Sequence, residues 1–191
     1  MSELKFFGYM ILAVLCAAII IVPLVEVFFA YRERLMLSDA LYNSCRVAAE
    51  ATSNYRNMRT IDTVYYIGSY SYADDFLDVF ANTFAISFDL DIKERYLTGR
   101  SLDSSSYKLV FRPQPNNETY NDFVLALDFN EKYDSSDEKT TTTIVVVAES
   151  DYKFKYGYMQ YLYTERGLLR TDEGNSYKLR GNKIFEMIIT N

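Results

Sequence analysis

The side chains best suited to binding a metal ion are the carboxylates of two short acidic stretches. One stretch contains Asp134, Asp137 and Glu138, and the other places Asp89 and Asp91 on one side of a possible strand. Calcium prefers oxygen ligands, but neither stretch has the alternating ligands and central glycine of an EF-hand loop. We therefore expect a solvated turn at the first stretch and no metal at either.

Catalytic chemistry is strongly limited by composition, because the 191 residues include no histidine. This excludes Ser-His and Cys-His catalysis and every zinc site that contains histidine. The sequence also has no glycine-rich phosphate loop, no GxSxG elbow and no paired-cysteine motif. A net charge of −6 argues against nucleic acid, which selects basic surfaces. We expect a protein that is not an enzyme and needs no cofactor.

Tyrosine is the residue most suited to recognition, with 18 tyrosines beside 13 phenylalanines and no tryptophan. The tyrosines cluster in the segments 65–72 (YYIGSYSY) and 152–163 (YKFKYGYMQYLY). Tyrosine offers a large, rigid contact area with a polar tip and is enriched at interfaces. The clusters are interpreted either as a tyrosine-rich sheet core or as a surface that binds sugar or a partner protein.

The first element that positions these residues is an apolar N-terminal segment. From Phe6 to Val25 the only ionisable side chains are Tyr9 and Cys16, and about 20 such residues cross ~30 Å of hydrocarbon. The run ends in bulky residues where a cleaved signal needs small ones. We therefore predict that residues 1–30 form a transmembrane anchor helix.

The helix is predicted to continue well beyond the membrane. The stretch from Ala30 to Ser53 contains no glycine or proline and many strong helix formers. We assign residues 31–53 to an amphipathic continuation and residues 54–191 to a soluble α+β domain. Cys16 and Cys45 would lie about 43 Å apart on this helix, too far for a disulfide.

The soluble half of this helix has two interpretations, which are compatible on different faces. In the first, Leu37, Leu41 and Val47, together with Ala48, pack on the domain behind them. In the second, small residues that recur every four positions let a helix of another subunit approach closely, as an assembly surface. That ladder consists of Ala40, Ser44, Ala48 and Thr52.

Two residues near the end of the apolar run have special properties. Pro23 lacks an N–H and clashes with the carbonyl of Ile19, so we expect a kink or a loosened helix there. Glu26 is the first charge after the run. It is interpreted either as a residue at the headgroup level or as a carboxylate that fixes register by pairing with a cation of a neighbouring subunit.

The rest of the chain predicts a second helix and a sheet. Phe76, Phe80 and Phe84 recur every four residues in the predicted helix 72–87, so they are expected to face the core. Short β-branched and aromatic segments follow, separated by polar turns. We predict an α+β fold with about five or six antiparallel strands and helices on one face. The predicted strands are 106–113, 122–129, 140–149, 151–158, 176–180 and 183–190.

The N-terminal part of the sequence resembles the stem of TadE-like pseudopilins, minor components of tight-adherence (Tad/Flp) pilus systems. The shared pattern is an apolar run with a proline, then Glu-x-aromatic, then a leucine- and alanine-rich amphipathic helix. It covers about residues 8–51. The matching positions are Pro23, Glu26, Phe28, Tyr31, Leu41, Arg46, Ala48 and Ala49.

The resemblance implies a pilin-like fold, in which a long N-terminal helix packs on an antiparallel sheet. It also implies a domain outside the cell and assembly through helix contacts. Prepilins usually carry a basic leader ending in glycine and a glutamate soon after it. Here Lys5 is the only basic side chain before Gly8, and Ala13 is the fifth residue after Gly8, where the pattern has the glutamate. Both features depart from the prepilin pattern.

These observations lead to a hypothesis of a membrane-anchored, pilin-like structural subunit of a bacterial surface filament or its assembly platform. Its expected partners are the lipid bilayer and copies of itself or of related subunits, contacted through the N-terminal helix. The alternative is a single-pass anchored extracellular binding or sensor domain, and a third option is one subunit of a membrane complex. Arg32 and Arg34 after the run slightly favour a cytoplasmic domain by the positive-inside rule, whereas the resemblance favours an extracytoplasmic one.

Overall fold

The structure, a computed structural model, describes residues 2–57, 70–101, 104–134, 136, 139–155 and 177–190. Within these residues, two helices are followed by five strands that form one sheet. The elements are α1 (Ser2–Asn57), α2 (Tyr70–Phe88), β1 (Leu90–Arg100), β2 (Ser104–Pro113), β3 (Phe123–Asp134), β4 (Lys139–Tyr152) and β5 (Tyr177–Thr190).

Helix α1 is a single helix of 56 residues, about 84 Å long. Its first part is apolar and almost entirely exposed, and the helix is long and apolar enough to cross a membrane. From Glu26 onward, side chains are buried at intervals of three or four residues, so one face packs against the domain. The helix ends at Asn57 and not at Ser53 as predicted, and it runs through Pro23 without interruption.

The five strands form an antiparallel meander in the order β1-β2-β3-β4-β5. Side chains alternate along β3 and β4 between a buried and a more exposed face. The buried face is covered by α1 above β5 and by α2 above β1 and β2. The predicted α+β class is therefore confirmed at the level of a long apolar helix and an antiparallel five-stranded sheet.

Three details of the strand prediction are wrong. β1 was not among the predicted strands, because ten of its eleven residues are at least partly exposed and its charges obscure the alternation. The segments 176–180 and 183–190 form one continuous strand, β5, which passes through Gly181. The predicted strand 151–158 is also incorrect in part, because β4 ends at Tyr152 and residues 153–155 are not in a strand. Residues 156–158 lie outside the described residues.

Aromatic rings fill the space between α2 and the sheet. Phe76, Phe80 and Phe84 are fully buried, as their spacing predicts. Phe76 meets Phe129 of β3 edge-on at 5.4 Å between ring centroids, and Phe84 lies 5.2 Å from Phe111 of β2. These edge-to-face and tilted contacts hold α2 firmly on β2 and β3.

Helix α1 approaches β5 so closely that the strand has a glycine at the contact. A Cβ atom at Gly181 would lie 2.9 Å from Cγ of Leu37 and 3.0 Å from Cδ1 of Leu41. Real Cβ atoms do not show such separations, so any other residue would require the side chains of Leu37 and Leu41 to shift. The second half of α1 thus contributes side chains to the same core as the sheet.

Candidate functional site

The small-residue ladder of α1 lies inside the chain and not on its surface. Ser44 and Ala48 have no exposed surface, and Ala40 and Thr52 are 7% and 5% exposed. The hydroxyl of Thr52 donates to the carbonyl oxygen of Ala48 at 2.8 Å. These side chains have no area to offer to another molecule.

The assembly role predicted for the ladder is therefore corrected to an intramolecular one. Small side chains let the backbone of α1 approach its own domain, where Leu37 and Leu41 are also fully buried. The first interpretation of this helix is the one that the structure follows, except that Val47 is 37% exposed. Nothing in the spacing alone distinguishes a small-residue face that meets its own domain from one that meets a neighbour.

A different group of residues forms a cavity where α1 enters the domain. The cavity has a volume of about 840 Å³ and lies between α1, the connection from β2 to β3, and the end of β4. Its lining consists of Glu26, Phe29, Glu118, Thr119, Asn121, Asp151, Tyr152, Lys153, Phe154 and Lys155. Charged side chains and aromatic rings therefore line the same cavity.

Backbone hydrogen bonds fix the floor of this cavity. The N–H of Asn121 donates to the carbonyl of Asp151 at 3.0 Å, and the N–H of Lys153 donates to the carbonyl of Thr119 at 2.8 Å. The hydroxyl of Ser150 adds a bond to the carbonyl of Asn121 at 3.1 Å. The loop before β3 is thus attached to the end of β4 along its length, so the site rests on a rigid support.

Glu26 is the buried charge of the site. It is 4% exposed, and its Oε2 accepts a hydrogen bond from the backbone N–H of Lys155 at 3.3 Å. No cationic side chain of the described residues forms an ion pair with it. The prediction that Glu26 pairs with a cation from outside its own chain stays a prediction, and its contact with the domain is a new finding.

A second carboxylate lies two helical turns further along the same face. Glu33 accepts a hydrogen bond from the hydroxyl of Tyr120. Burial and this bond to Glu33 raise the pKa of Tyr120 strongly, so the phenol stays protonated. Burial also raises the pKa of Tyr152 to about 12, with further contributions from the charges of Glu26 and Glu33. Both tyrosines are therefore neutral hydrogen-bond donors at physiological pH.

The other residues that the sequence singled out are parts of helices and turns. Pro23 is half-buried in α1, one turn before Glu26. Asp89 has a positive φ of 50° and ends α2 in the left-handed conformation that asparagine and aspartate tolerate. Asp134 accepts hydrogen bonds from the backbone N–H and the hydroxyl of Ser136, as expected for a turn. Cys16 and Cys45 are both free, as their separation on α1 predicts.

In the part of the chain that the structure describes, no three potential metal ligands come together. Asp137, Glu138 and most of both tyrosine clusters lie outside the described residues. Of the second cluster, Tyr152 and Phe154 are buried with their ring centroids 5.3 Å apart. These two rings therefore belong to the core.

Sequence reasoning missed Glu33, Tyr120 and the loop before β3. One signal was available, because Glu33 follows Glu26 by seven residues and must share its helix face. The partners on the loop carry no such signal, since only the meander brings residues 118–121 next to residues 150–153.

The chain was compared with protein-family models, with curated proteins and with solved structures, and none of the three comparisons gives a match.

Proposed function

We propose that this chain is a non-enzymatic, membrane-anchored structural subunit similar to pilins. It assembles with copies of itself or of related subunits into a surface filament or its platform. The anchor lies in a bacterial cell membrane, and the domain faces the extracytoplasmic side. The observation that supports this proposal is the outward face of α1, which carries large, partly exposed apolar side chains beyond the apolar run.

This face carries large apolar side chains opposite the buried face. Phe28, Tyr31, Leu35 and Tyr42 are 63%, 57%, 50% and 45% exposed. Their spacing of three, four and seven residues is that of a seam between two packed helices. We call these four residues the outer stripe.

The membrane itself accounts for only part of the outer stripe. Phe28 and Tyr31 lie close to the end of the apolar run, where aromatic side chains commonly sit among headgroups. Leu35 and Tyr42 lie about 15 and 25 Å beyond Val25 along the helix axis, whereas a headgroup layer is only about 5–8 Å thick. The ring of Tyr42 already meets Phe185 of β5 edge-on at 5.9 Å between ring centroids, so a second helix would cover Leu35 and the part of Tyr42 that remains exposed.

The charges beside the outer stripe suggest how neighbouring helices are arranged. Arg32, Asp39 and Arg46 are exposed, follow one another at intervals of seven residues and alternate in sign. Between parallel helices of an assembly, an offset of seven residues, about 10 Å, brings Arg32 opposite Asp39 of the next copy and Asp39 opposite its Arg46. A repeated offset generates an open assembly and not a closed pair.

The proposal is tested by replacing Leu35 with glutamate in the full chain. We expect sheared cell-surface material to lose its filaments in electron microscopy, while the purified variant keeps its circular dichroism spectrum and melting temperature. The matched control is Ile184→Glu, because Ile184 is 62% exposed on β5, away from the outer stripe. Normal filaments from the Leu35 variant would refute this role of the outer stripe.

The offset is tested separately with cysteines on a Cys16→Ala background, in which the buried Cys45 remains. In the offset arrangement, Leu35→Cys faces Tyr42→Cys of the next copy. Mild oxidation of the doubly substituted chain therefore gives a series of disulfide-linked multimers of increasing size. Each single variant should stay monomeric. In an unshifted pair Asp39 would instead reach Arg34, and Leu35→Cys alone would give a dimer, which contradicts the offset.

A second candidate function is a single-pass anchored binding or sensor domain. The observation in its favour is the cavity around Glu26, whose volume lies in the usual range for small-molecule sites. This function predicts a monomer or a closed dimer and no filament under any condition. The same microscopy therefore separates the two candidates.

A further inference from the structure

The cavity at the start of the domain lies where lipid headgroups are found. Glu26 directly follows the uncharged run that ends at Val25, and a run of about 20 residues occupies the whole hydrocarbon layer. Glu26 and Phe29 both line the cavity. The cavity is therefore held at the membrane surface by the helix itself, and phospholipids are the molecules that surround it.

The charge of Glu26 is incompletely compensated within its own chain. The side chain is 96% buried, and its only described hydrogen bond is the one from the backbone N–H of Lys155 at 3.3 Å. An ionised carboxylate has room for about four hydrogen bonds and is costly to bury without a cation. A cationic group that enters the cavity would supply what the described part of the chain does not.

The lining also contains the carboxylates Glu118 and Asp151, and it has two cations that suit the phosphate of a phospholipid. Lys153 and Lys155 are exposed on the rim, where their ammonium groups suit a phosphate. Phe29 is 43% exposed and offers an apolar contact within the cavity. A single lysine side chain from a neighbouring subunit would fill only a small part of a cavity of about 840 Å³.

We infer that this cavity binds the headgroup of an ethanolamine phospholipid. The primary ammonium donates hydrogen bonds to Glu26, the phosphate lies between Lys153 and Lys155, and the acyl chains follow the exposed apolar surface of α1. A choline headgroup has no N–H to donate to the carboxylate, and a glycerol headgroup brings no cation. The site therefore distinguishes phospholipids by their amine. This inference depends on membrane anchoring but not on filament assembly.

The test uses the full chain in mixed micelles that contain equal amounts of phosphatidylethanolamine, phosphatidylcholine and phosphatidylglycerol. Native mass spectrometry then counts the lipids retained by each protein. We expect one retained phosphatidylethanolamine in roughly tenfold preference over the other two, the difference that one charge-assisted hydrogen bond makes. Equal retention of the three lipids would overturn the inference.

Variants identify the site. Glu26→Gln should abolish the preference, whereas Glu94→Gln, on an exposed carboxylate of β1, should leave it unchanged. Because Glu26→Gln affects a buried group, Lys153→Ala provides a second test at an exposed position and should weaken retention of all phosphate-bearing lipids. An unchanged preference in Glu26→Gln, or unchanged retention of all three lipids in Lys153→Ala, would contradict the proposal.

Two further outcomes would also overturn it. If Glu26 holds a neighbour's cation, Glu26→Gln will lower the fraction of cross-linked multimers and leave lipid retention as it was. If the ligand is a soluble molecule, free O-phosphoethanolamine will bind as tightly as the lipid. The proposal expects the free headgroup to compete much more weakly, because it lacks the apolar contact along α1.

Discussion

The two faces of α1 after Val25 differ in the size and exposure of their side chains, and the sequence alone does not show which face meets the domain. The inner face carries small and aliphatic side chains, such as Leu37 and Ala48, which have no exposed surface. The outer face carries larger ones, such as Leu35 and Tyr42, which are about half exposed. The inner face makes the main contact of α1 within the chain, whereas on the outer face Leu35 is half exposed and Tyr42 reaches the domain with its ring edge, at Phe185 of β5.

The strongest test of the difference between the two faces compares two leucines of α1. Leu37→Ala should lower the free energy of unfolding by about 2–5 kcal/mol, because it leaves a cavity between α1 and β5. Leu35→Ala should change it by less than about 0.5 kcal/mol, since its side chain is half exposed. Urea denaturation of both variants in detergent micelles, followed by near-UV circular dichroism, measures the difference. Equal effects of the two substitutions would contradict the assignment of the faces.

A smaller effect is expected at Gly181, where β5 contacts α1. Gly181→Ala should cost about 1–3 kcal/mol, because the new methyl group meets Leu37 and Leu41 at 3.0 Å or less. Gly99→Ala is the control, since its nearest neighbour would be Cβ of Ser106 at an ordinary 3.9 Å. Thermal melts of the two variants give the comparison. A double variant with Leu37→Ala should recover part of the loss, and a strictly additive result would show that the two residues do not touch.

The smallest expected effect concerns the ladder and has the opposite sign. The hydroxyl of Ser44 is buried and has no hydrogen-bond partner among the described residues. Ser44→Ala should therefore raise the free energy of unfolding by about 1 kcal/mol, because an unsatisfied polar group is removed. Thr52→Val, whose hydroxyl bonds the carbonyl of Ala48, should not stabilise the protein. A loss of stability in Ser44→Ala would indicate a partner for this hydroxyl.

Local patterns predicted the elements with strong periodicity. The uninterrupted helix formers of α1 and the phenylalanines of α2 are such cases, and their bounds are close to those predicted. The β1 strand escaped prediction because it is an edge strand with charged side chains, such as Lys93, which pairs with Asp122, and Arg95, which pairs with α2. β5 was divided in two because Gly181 looks like a turn, although the glycine is there to admit α1.

The candidate site was predictable only in its helical part. Glu26 and Pro23 stand out in the sequence because they interrupt or end an apolar run. The ladder was also visible, but its direction depends on where the sheet lies. The loop that closes the cavity beneath Glu26 is placed by long-range pairing between residues 120 and 152, which leaves no local pattern.

The unbroken course of α1 has a mechanical consequence. One helix joins the apolar N-terminal segment to the domain core, without a linker between them. In a membrane, the tilt of this helix would therefore set both the height of the domain and the direction of its sheet. Compliance is concentrated at Pro23, where a backbone hydrogen bond is missing. A sideways pull on the domain should thus bend the molecule at the bilayer surface, and an axial pull should reach the anchor undiminished.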